Sequence, residues 1–352
     1  MGGEGTRLRP LTLSTPKQLL PIVEQPMLER VLGQLAVHGI DEAVLSLGYL
    51  PDAFKDAYPD GVASGVALSY AVEPEPLDTA GAVRFAALAA GIDETFVVVN
   101  GDVLTDMDIT ALIGTHRERG AEGTVAVHPV DDPSSFGVLA VDDAGRVTAF
   151  VEKPAPGEAP SSLVNAGTYV LEPSVLRRIP AGRRVSIERE TFPDMVRDGS
   201  LYARADGAYW LDTGTPAAFL AAHWDLLEGR RPGLPAPGAQ LAYDTVWHLG
   251  SPTVSGKVCG PSLVADGALV AAGASVERSV VGRGCRVEAG AVVTGSVLMA
   301  RARVGAGAHV DGSIVGPGAT VGESADVRPV SVLGAGAAVR DHLVLDGDRF
   351  PG

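Results

Sequence analysis

The last third of the chain carries a six-residue repeat, and this feature restricts the fold more than any other in the sequence. From about residue 261, apolar residues recur at spacings of six, six and five positions, which gives a period of 17 residues. Short units of this kind, separated by small residues, are typical of a three-sided parallel β-helix, and we expect about four to five coils. The predicted interior positions are Val264, Val270, Val276, Val281, Val287, Val293, Leu298, Val304, Val310, Val315, Val321 and Val327.

Residues 1–228 alternate strand-like and helix-like segments. This alternation predicts an α/β domain with a Rossmann-like, mixed and mostly parallel sheet covered by helices. The continuous apolar run Phe96–Val99 is expected to be a central strand buried on both faces. Predicted strands cover residues 43–47, 66–72, 96–99, 124–130 and 147–151, and predicted helices cover 26–38, 79–90, 109–119, 187–197 and 216–227. A Gly/Pro-rich segment follows, so we divide the chain into residues 1–228, a linker at 229–260, a β-helix at 261–345 and a tail at 346–352.

Charge and composition exclude several classes of partner. The net charge of −15 argues against broad binding of nucleic acid or of anionic membranes. No apolar run approaches the roughly 20 residues of a membrane helix, and no signal peptide is visible. The only cysteines, Cys259 and Cys285, match no metal-binding spacing. We therefore expect a cytoplasmic protein with no nucleic-acid and no membrane partner.

The N-terminal residues form a glycine-rich loop. Glycines let a backbone approach a phosphate closely, and a guanidinium and an ammonium downstream can neutralise a polyphosphate. The loop has neither the Gly-Lys-Ser/Thr ending of a Walker loop nor the glycine spacing of a dinucleotide fingerprint. A phosphate cradle and a flexible N-terminal tail remain as interpretations. The residues concerned are Gly2, Gly3, Gly5, Thr6, Arg7 and Lys17.

A series of motifs carries a family resemblance over nearly the whole chain. The first reads Gly-Gly-x-Gly-Thr-Arg-Leu-x-Pro-x-Thr from residue 2, with Pro-Lys at 16–17. The sequence resembles the sugar-1-phosphate nucleotidyltransferases, and its tail is similar to the left-handed β-helix of mannose-1-phosphate guanylyltransferases. The further motifs, in the order of that family, are Asn100-Gly101-Asp102, Phe136-Gly137-Val138, Glu152-Lys153-Pro154, Asn165-Ala166-Gly167 and Trp210-Leu211-Asp212-Thr213-Gly214.

The resemblance implies roles for these residues. Arg7 and Lys17 would be catalytic and stabilise the leaving pyrophosphate, while Asp102 and Asp212 would bind Mg²⁺. The residues that would bind the sugar phosphate are Gly137, Glu152, Lys153 and Asn165.

The residues alone leave plainer alternatives open. Asp102 could cap a turn, and Asp212 could be the N-cap of the helix predicted near residue 216. Glu152 and Lys153 could form a salt bridge at the end of a strand.

The segment 73–82 aligns with the base-binding segment of the family. Asp78 stands where the family usually has glycine, so close approach of a base becomes harder. An acidic side chain could instead accept the N1–H and amino group of guanine, which uracil and thymine lack. The residues expected to bind the nucleotide in this segment are Glu73, Asp78, Thr79 and Gly81.

The expected reaction is attack of a sugar 1-phosphate on a nucleoside triphosphate, with GTP and mannose 1-phosphate favoured as substrates. Glucose 1-phosphate with dTTP or UTP is the next choice. A non-catalytic subunit that senses nucleotide sugars is the alternative from another class. We also expect a homo-oligomer formed through the β-helix, whose flat faces and open ends invite packing.

The start of the chain poses a separate question. In the family, a strand of about five apolar residues precedes the glycine-rich loop, and Met1 stands where its last residue would be. We expect either that the coding start lies further upstream, which we favour, or that the sheet lacks its first strand and the loop is unanchored.

Overall fold

The computed structural model of the chain describes residues 3–351. These residues form two compact units. The first comprises Gly3 and Glu29–Trp210, and the second comprises Glu4–Leu28 together with residues 211–351. The helices are α1 (Met27–Val37), α2 (Pro51–Ala57), α3 (Asp78–Ala89), α4 (Ile109–Arg119), α5 (Phe192–Asp198) and α6 (Pro216–Leu227), with a π-helical turn at Ile187–Thr191. None of these described helices has the length and apolar character needed to cross a bilayer.

The strands before residue 213 agree closely with the predicted ones, and several more are present. They are β1 (Pro21–Ile22), β2 (Gln25–Pro26), β3 (Glu42–Leu47), β4 (Val62–Ala63), β5 (Val66–Val72), β6 (Phe96–Val99), β7 (Val103–Thr105), β8 (Gly123–Pro129), β9 (Gly137–Val141), β10 (Val147–Glu152), β11 (Leu163–Leu171), β12 (Leu201–Ala205) and β13 (Trp210–Asp212).

The larger sheet of the first unit is mixed, as predicted, but it is not mostly parallel. Its order is β10–β9–β11–β8–β12, with β6 also paired to β11. Among these described strands only β12 and β8 run parallel, and the other pairings are antiparallel. The cause is β11, a nine-residue strand that the sequence pattern does not predict, which runs antiparallel to β6, β8 and β9. A smaller sheet has the order β3–β5–β4.

The expectation of a fully buried central strand at Phe96–Val99 is wrong. All four residues of β6 are half-buried, and among the described strands β6 pairs only with β11. A strand with one paired edge has less of its surface covered than a central strand, which accounts for the partial burial.

The second unit contains a parallel β-solenoid of six turns. Strand β14 (Gln240–Tyr243) precedes it and pairs antiparallel with the first strand of the solenoid. The parallel strands are β15 (Val246–Leu249), β16 (Thr253–Val254), β17 (Lys257–Cys259), β18 (Ser262–Ala265), β19 (Leu269–Val270), β20 (Ser275–Glu277), β21 (Val280–Val281), β22 (Arg286–Val287), β23 (Val292–Thr294), β24 (Val297–Leu298), β25 (Arg303–Val304), β26 (His309–Asp311), β27 (Ile314–Val315), β28 (Thr320–Val321), β29 (Asp326–Arg328), β30 (Val332–Leu333), β31 (Ala338–Val339), β32 (Val344–Asp346) and β33 (Arg349–Phe350).

The predicted interior of the solenoid is confirmed, but the expected four to five coils are too few. All twelve predicted anchors are at most 1% exposed, and equivalent anchors of successive coils pair directly. The first coil was not predicted, because its spacing departs from 17 residues. Thr253 pairs with Leu269 and Lys257 with Ser275, offsets of 16 and 18 residues.

The strand ladders reach into both segments predicted to flank the solenoid. Strands β14 to β17 lie within residues 229–260, and β33 lies within residues 346–352. The domain boundaries and the left-handed sense of the coil stay predictions.

A ladder of buried serines explains the second 17-residue period. Ser279 Oγ donates to the carbonyl of Glu277 at 2.6 Å and accepts the backbone N–H of Ser296 at 3.0 Å. Ser296 Oγ in turn accepts the backbone N–H of Ser313 at 3.0 Å. Each hydroxyl therefore satisfies one buried backbone group in its own coil and one in the next.

Candidate functional site

The glycine-rich loop lies in the second unit as a packed segment. It consists of three short 3₁₀ turns, Thr6–Leu8, Leu11–Leu13 and Lys17–Leu19. Leu8, Leu11 and Leu20 are at most 2% exposed and hold the loop in place. The expectations of a flexible tail and of an unanchored loop are therefore wrong for residues 4–20.

Gly5 packs closely against two later residues of this loop, Thr12 and Lys17. Its φ is +60°, and a Cβ at this position would lie 2.9 Å from Thr12 Cγ2 and 3.4 Å from Lys17 Cβ. The hydroxyl of Thr12 donates to the carbonyl of Gly5 at 2.8 Å. Both the left-handed conformation and the close approach require glycine here. Gly3 is exposed with φ +126°, and the predicted phosphate ligand Gly2 lies outside the described residues.

Arg7 and Asp212 meet at Gly214. A Cβ on Gly214 would lie 2.6 Å from Arg7 Nη2 and 2.9 Å from Asp212 Oδ1, so only glycine fits between them. Asp212 Oδ1 accepts the N–H of Gly214 at 2.8 Å. The alternative that Asp212 is the N-cap of α6 is wrong, because Thr215 is the cap and accepts the N–H of Ala218 at 3.2 Å. Gly5, Arg7, Lys17 and Asp212 thus belong to the same unit.

In the first unit, the Asn-Gly-Asp and Asn-Ala-Gly motifs lie side by side. The backbone N–H of Asn100 donates to the carbonyl of Gly167 at 2.8 Å, and a Cβ on Gly167 would lie 2.7 Å from Asn100 Nδ2. Asn165 Oδ1 accepts the N–H of Gly167 at 2.9 Å, and its amide donates to the hydroxyl of Tyr169 at 2.8 Å. The half-buried Asp102 follows Asn100 by two residues.

The predicted sugar-phosphate residues Gly137, Glu152 and Lys153 also come together. A Cβ on Gly137 would lie 2.9 Å from Glu152 Oε2, and the backbone N–H of Lys153 donates to the carbonyl of Phe136 at 2.9 Å. The alternative salt bridge is present, with 3.6 Å between Lys153 Nζ and Glu152 Oε1. Lys153 nevertheless has φ +50°, a strained conformation of the kind that concentrates at functional sites.

Three carboxylates act on one buried phenol in this unit. Burial raises the pKa of Tyr169, and the charges of Glu188, Glu152 and Asp102 raise it further, against the hydrogen bond from Asn165. Burial also raises the pKa of Glu152, followed by repulsion from Glu188. The carboxyl groups of Glu152 and Glu188 therefore lie close enough to interact electrostatically with each other and with the phenol of Tyr169.

Glu188 is a candidate site residue that the sequence analysis missed. It lies in the π-helical turn Ile187–Thr191, a type of turn that is frequent at functional sites. Its Oε2 accepts hydrogen bonds from the hydroxyls of Thr79 at 2.7 Å and Ser186 at 2.8 Å. The only sequence signal is Ser186, which caps the turn by accepting the N–H of Arg189.

Hydrogen bonds to buried groups hold the predicted base-binding segment in place. Glu73 is buried, and it accepts hydrogen bonds from the hydroxyl of Ser46 at 3.0 Å and the N–H of Leu77 at 3.1 Å. The N–H groups of Ala80 and Gly81 both donate to the carbonyl of Val185. These bonds fix the course of the segment.

Asp78 and Thr79 lie exposed at the start of α3, and Asp78 has φ +63°. Asp78 thus occupies a position where the family usually has glycine, and its backbone conformation is one that favours glycine.

The Trp210 ring connects three motifs of the first unit. Its Nε1–H donates to the carbonyl of Ala166 at 3.0 Å. The ring stacks on His128, with 5.4 Å between centroids, and meets Phe136 edge-on at 5.5 Å. Trp210 is therefore a packing residue.

No group of three or more His, Cys, Asp or Glu side chains that could bind a metal is found in residues 3–351. Asp102 and Asp212 would supply hard oxygen ligands, and Mg²⁺ needs only one or two carboxylates when phosphates complete its coordination. The donor chemistry of each aspartate, considered by itself, thus fits Mg²⁺.

Comparison with known families identifies two regions of the chain. Residues 1–229 match the family model described as nucleotidyl transferase, and residues 258–350 match the model described as GMPPB C-terminal domain.

Curated relatives and solved structures agree with these family matches. A mannose-1-phosphate guanylyltransferase of Mycobacterium tuberculosis is 39% identical, over 79% of this chain and 82% of its own. A probable mannose-1-phosphate guanylyltransferase of Oryza sativa is 36% identical, over 79% and 78%. The crystal structure of HddC from Yersinia pseudotuberculosis, complexed with GMP-PN, has a TM-score of 0.54 at 27% identity. That match covers 63% of this chain and 95% of HddC.

Proposed function

Because the chain belongs to the nucleotidyl transferase family, we propose that it transfers GMP from GTP to mannose 1-phosphate, giving GDP-mannose and pyrophosphate. The observation that carries this proposal is that Arg7, which lies on the same loop as Lys17, meets Asp212 at Gly214. A cationic loop beside a carboxylate suits a metal-bound triphosphate. The names of the curated relatives support GTP and mannose 1-phosphate as the substrate pair.

In this proposal the reaction needs alignment and charge stabilisation more than acid–base chemistry. The nucleophile is a phosphate oxygen of mannose 1-phosphate, which is already an anion and needs no general base. It attacks the α-phosphorus of GTP, and the bond to the bridging oxygen of pyrophosphate breaks with its electron pair. Arg7 and Lys17 stabilise the charge that develops on pyrophosphate. In this proposal Gly3, Gly5 and Thr6 offer backbone N–H groups to the phosphates, and the family motif implies the same role for Gly2.

The sugar phosphate would be bound by residues of the first unit. Lys153 binds the phosphate, and Glu152 accepts hydrogen bonds from sugar hydroxyls. Asn165 and Gly137 line the same pocket. We add Glu188, which shares the electrostatic environment of Glu152 and Tyr169.

Enzymes of this family generally use a divalent metal. We propose that Asp102 and Asp212 bind Mg²⁺. When bound, the ion supplies charge stabilisation for phosphoryl oxygens.

We further propose a cytoplasmic homo-oligomer that assembles through the solenoid. Cys259 and Cys285 are free thiols, which suits a reducing compartment. Leu343 and Val344 in the last coil are 36% and 48% exposed, and apolar groups at an open solenoid end favour packing against another subunit. The oligomer is tested by measuring the molar mass of the protein and of a Val344→Lys variant by light scattering. If both have the mass of a monomer, the proposed oligomer is contradicted.

A substrate matrix tests the reaction. GTP, UTP, dTTP and ATP are each combined with mannose 1-phosphate and with glucose 1-phosphate, and pyrophosphate release is measured with and without Mg²⁺. We expect GTP with mannose 1-phosphate to give the highest kcat/KM and EDTA to abolish turnover. Highest turnover of glucose 1-phosphate with dTTP or UTP would establish the second substrate choice. Tight binding of GDP-mannose without turnover of any pair would favour the sensing subunit.

A further inference from the structure

Three residues of the second unit have strained backbones and converge on one coil of the solenoid. Val23, Glu24 and Arg278 have φ angles of +47°, +63° and +49°. This left-handed region disfavours every side chain, and β-branched ones most of all. Such strain persists only where neighbouring contacts offset it.

Val23 and Glu24 form the two-residue turn between β1 and β2, a place where Asn-Gly is the favoured sequence. Val23 is fully buried. Glu24 Oε2 accepts the backbone N–H of Arg283 at 3.2 Å. Gly282 leaves room for this contact, because a Cβ there would lie 2.8 Å from Glu24 Oε1. Burial raises the pKa of Glu24, and Arg283 opposes that shift. The hairpin is thus attached to a solenoid corner by a half-buried carboxyl group.

Arg278 occupies a corner where the next two coils have glycine. The equivalent residues, Gly295 and Gly312, have φ of +56° and +50°. The Arg278 guanidinium lies over the Trp224 ring, 4.2 Å from its centroid, and its Nε donates to Glu228 Oε1 at 3.0 Å. A cation over an aromatic face combined with a charge-assisted hydrogen bond fixes the end of α6 in position.

The two attachments belong to the same coil. Arg278 and Arg283 flank strand β21 (Val280–Val281). The hairpin follows Lys17 along the chain, α6 follows Gly214, and the two elements pack against each other. Both segments that carry the phosphate-facing groups of this unit are therefore attached to residues 278–283.

A second contact extends this attachment along the solenoid. Pro10, which ends the motif that contains Arg7, lies against Gly334. A Cβ on Gly334 would approach Pro10 Cβ and Cγ to 3.1 Å. The glycine-rich loop therefore has a further point of support on a later coil.

We propose that the solenoid positions the phosphate-binding elements of the enzyme, with Glu24 and Arg278 as positioning residues. The catalytic consequence rests on the function proposed above. The solenoid then has a role inside each subunit in addition to any role in assembly.

An Arg278→Gly variant tests the role of Arg278. Glycine relieves the strain of the left-handed corner, so the coil stays folded while the contacts with Trp224 and Glu228 are lost. Arg301→Gly is the matched control, because Arg301 is an exposed arginine at another left-handed corner, with φ +62°. We expect kcat to fall about 10- to 100-fold in Arg278→Gly with little change in KM, and to stay unchanged in Arg301→Gly.

Glu24 is tested by a pair of substitutions. Glu24→Ala removes the acceptor for Arg283 N–H and should lower kcat to a similar extent. Glu24→Gln retains an acceptor oxygen, so its kcat should be close to that of the unaltered protein. If Glu24→Ala acted only through a general loss of packing, the two variants would not differ in this way.

Amide hydrogen exchange gives a readout that does not depend on turnover. In Arg278→Gly and Glu24→Ala, residues 5–20 and 212–227 should exchange faster, while residues 286–345 stay as protected as in the unaltered protein. Unchanged exchange in those segments, or faster exchange with an unaltered kcat, would overturn the proposal. If no substrate pair is turned over, the proposed reaction fails, and the exchange data alone decide whether the solenoid positions these segments.

Discussion

The backbone N–H of Thr79 donates to the carboxylate of Asp78 at 2.9 Å, and Asp78 itself adopts a left-handed conformation with φ +63°. A side chain in this conformation costs about 1–2 kcal/mol relative to glycine. Aspartate is one of the few side chains that adopt this conformation, because its short carboxylate can accept a local hydrogen bond such as the one from Thr79.

We predict that Asp78→Gly lowers the preference for GTP over UTP by at least about tenfold, because glycine removes the acceptor for the guanine N1–H and amino group. The measurement is kcat/KM for each triphosphate at saturating mannose 1-phosphate. Asp244→Gly is the control, since Asp244 is also left-handed, with φ +42°, and lies in the turn between β14 and β15. A GTP preference that survives Asp78→Gly would remove guanine recognition from this residue.

The Lys17→Ala variant is predicted to lower kcat by about 10²- to 10³-fold, because a preorganised cation no longer faces the leaving pyrophosphate. Circular dichroism should show an intact fold, since Lys17 is only half-buried and its loop is packed by Leu8, Leu11 and Leu20. Lys257→Ala, which alters an exposed lysine of the solenoid, should retain full turnover. Near-normal kcat in Lys17→Ala would contradict the catalytic role of this lysine.

Replacing Ser296 by alanine should destabilise the solenoid by about 1–3 kcal/mol. The substitution leaves the buried N–H of Ser313 without its acceptor and removes the donor to Thr294. Chemical denaturation followed by circular dichroism measures the change in free energy of unfolding. Ser275→Ala is the control on the outside of a neighbouring coil, and an equal loss in both variants would argue against a specific contribution of the serine ladder.

Acid should weaken the fold through Glu122. Burial alone would raise its pKa, but hydrogen bonds from Arg178, Ser174 and Ser200 hold the pKa below its ordinary value of 4.5. Because the folded-state pKa is lowered, the stabilisation is complete above pH 4.5 and is lost as pH falls through the folded-state value.

We therefore predict that Glu122→Gln unfolds with a free energy about 1–3 kcal/mol lower at pH 7. The difference from the unaltered protein should narrow as pH falls below 4.5, and it should be smallest below the lowered folded-state pKa of Glu122, where the carboxyl group is neutral in both states. A difference that stays constant from pH 7 to pH 3 would show that the charge of Glu122 does not contribute.

The sequence is most informative where structure repeats or where a motif spans a few residues. The valines of the solenoid were predictable because each coil presents the same spacing, and Gly5 and Gly214 were predictable within their motifs. In both cases the pattern that predicts the structure lies within a short segment, so the prediction does not require knowledge of which distant strands pair.

Features that depend on distant pairing were not predictable. Strand β11 contains Asn165 and Gly167 in its middle, and these residue types predict a turn. The segment is a strand because it pairs with β6 and β8. The sequence around Glu188 does not distinguish it from an ordinary surface glutamate. Its hydrogen bond from Thr79, a residue more than 100 positions away, depends on the tertiary structure. The contacts of Arg278 with Trp224 and Glu228 leave no sequence signal apart from an arginine at a position where other coils have glycine.

One coil of the solenoid is a residue longer than its neighbours. The ladder offset is 17 residues between β26 and β29, where His309 pairs with Asp326, and rises to 18 between β27 and β30, where Ile314 pairs with Val332. It returns to 17 between β30 and β33, where Val332 pairs with Arg349. The additional residue is accommodated at the exposed corner formed by Pro329 and Val330, so the interior register on either side is preserved. This corner tolerates a change in chain length, and it is therefore a suitable place to insert a fluorescent or affinity tag without disturbing the rest of the molecule.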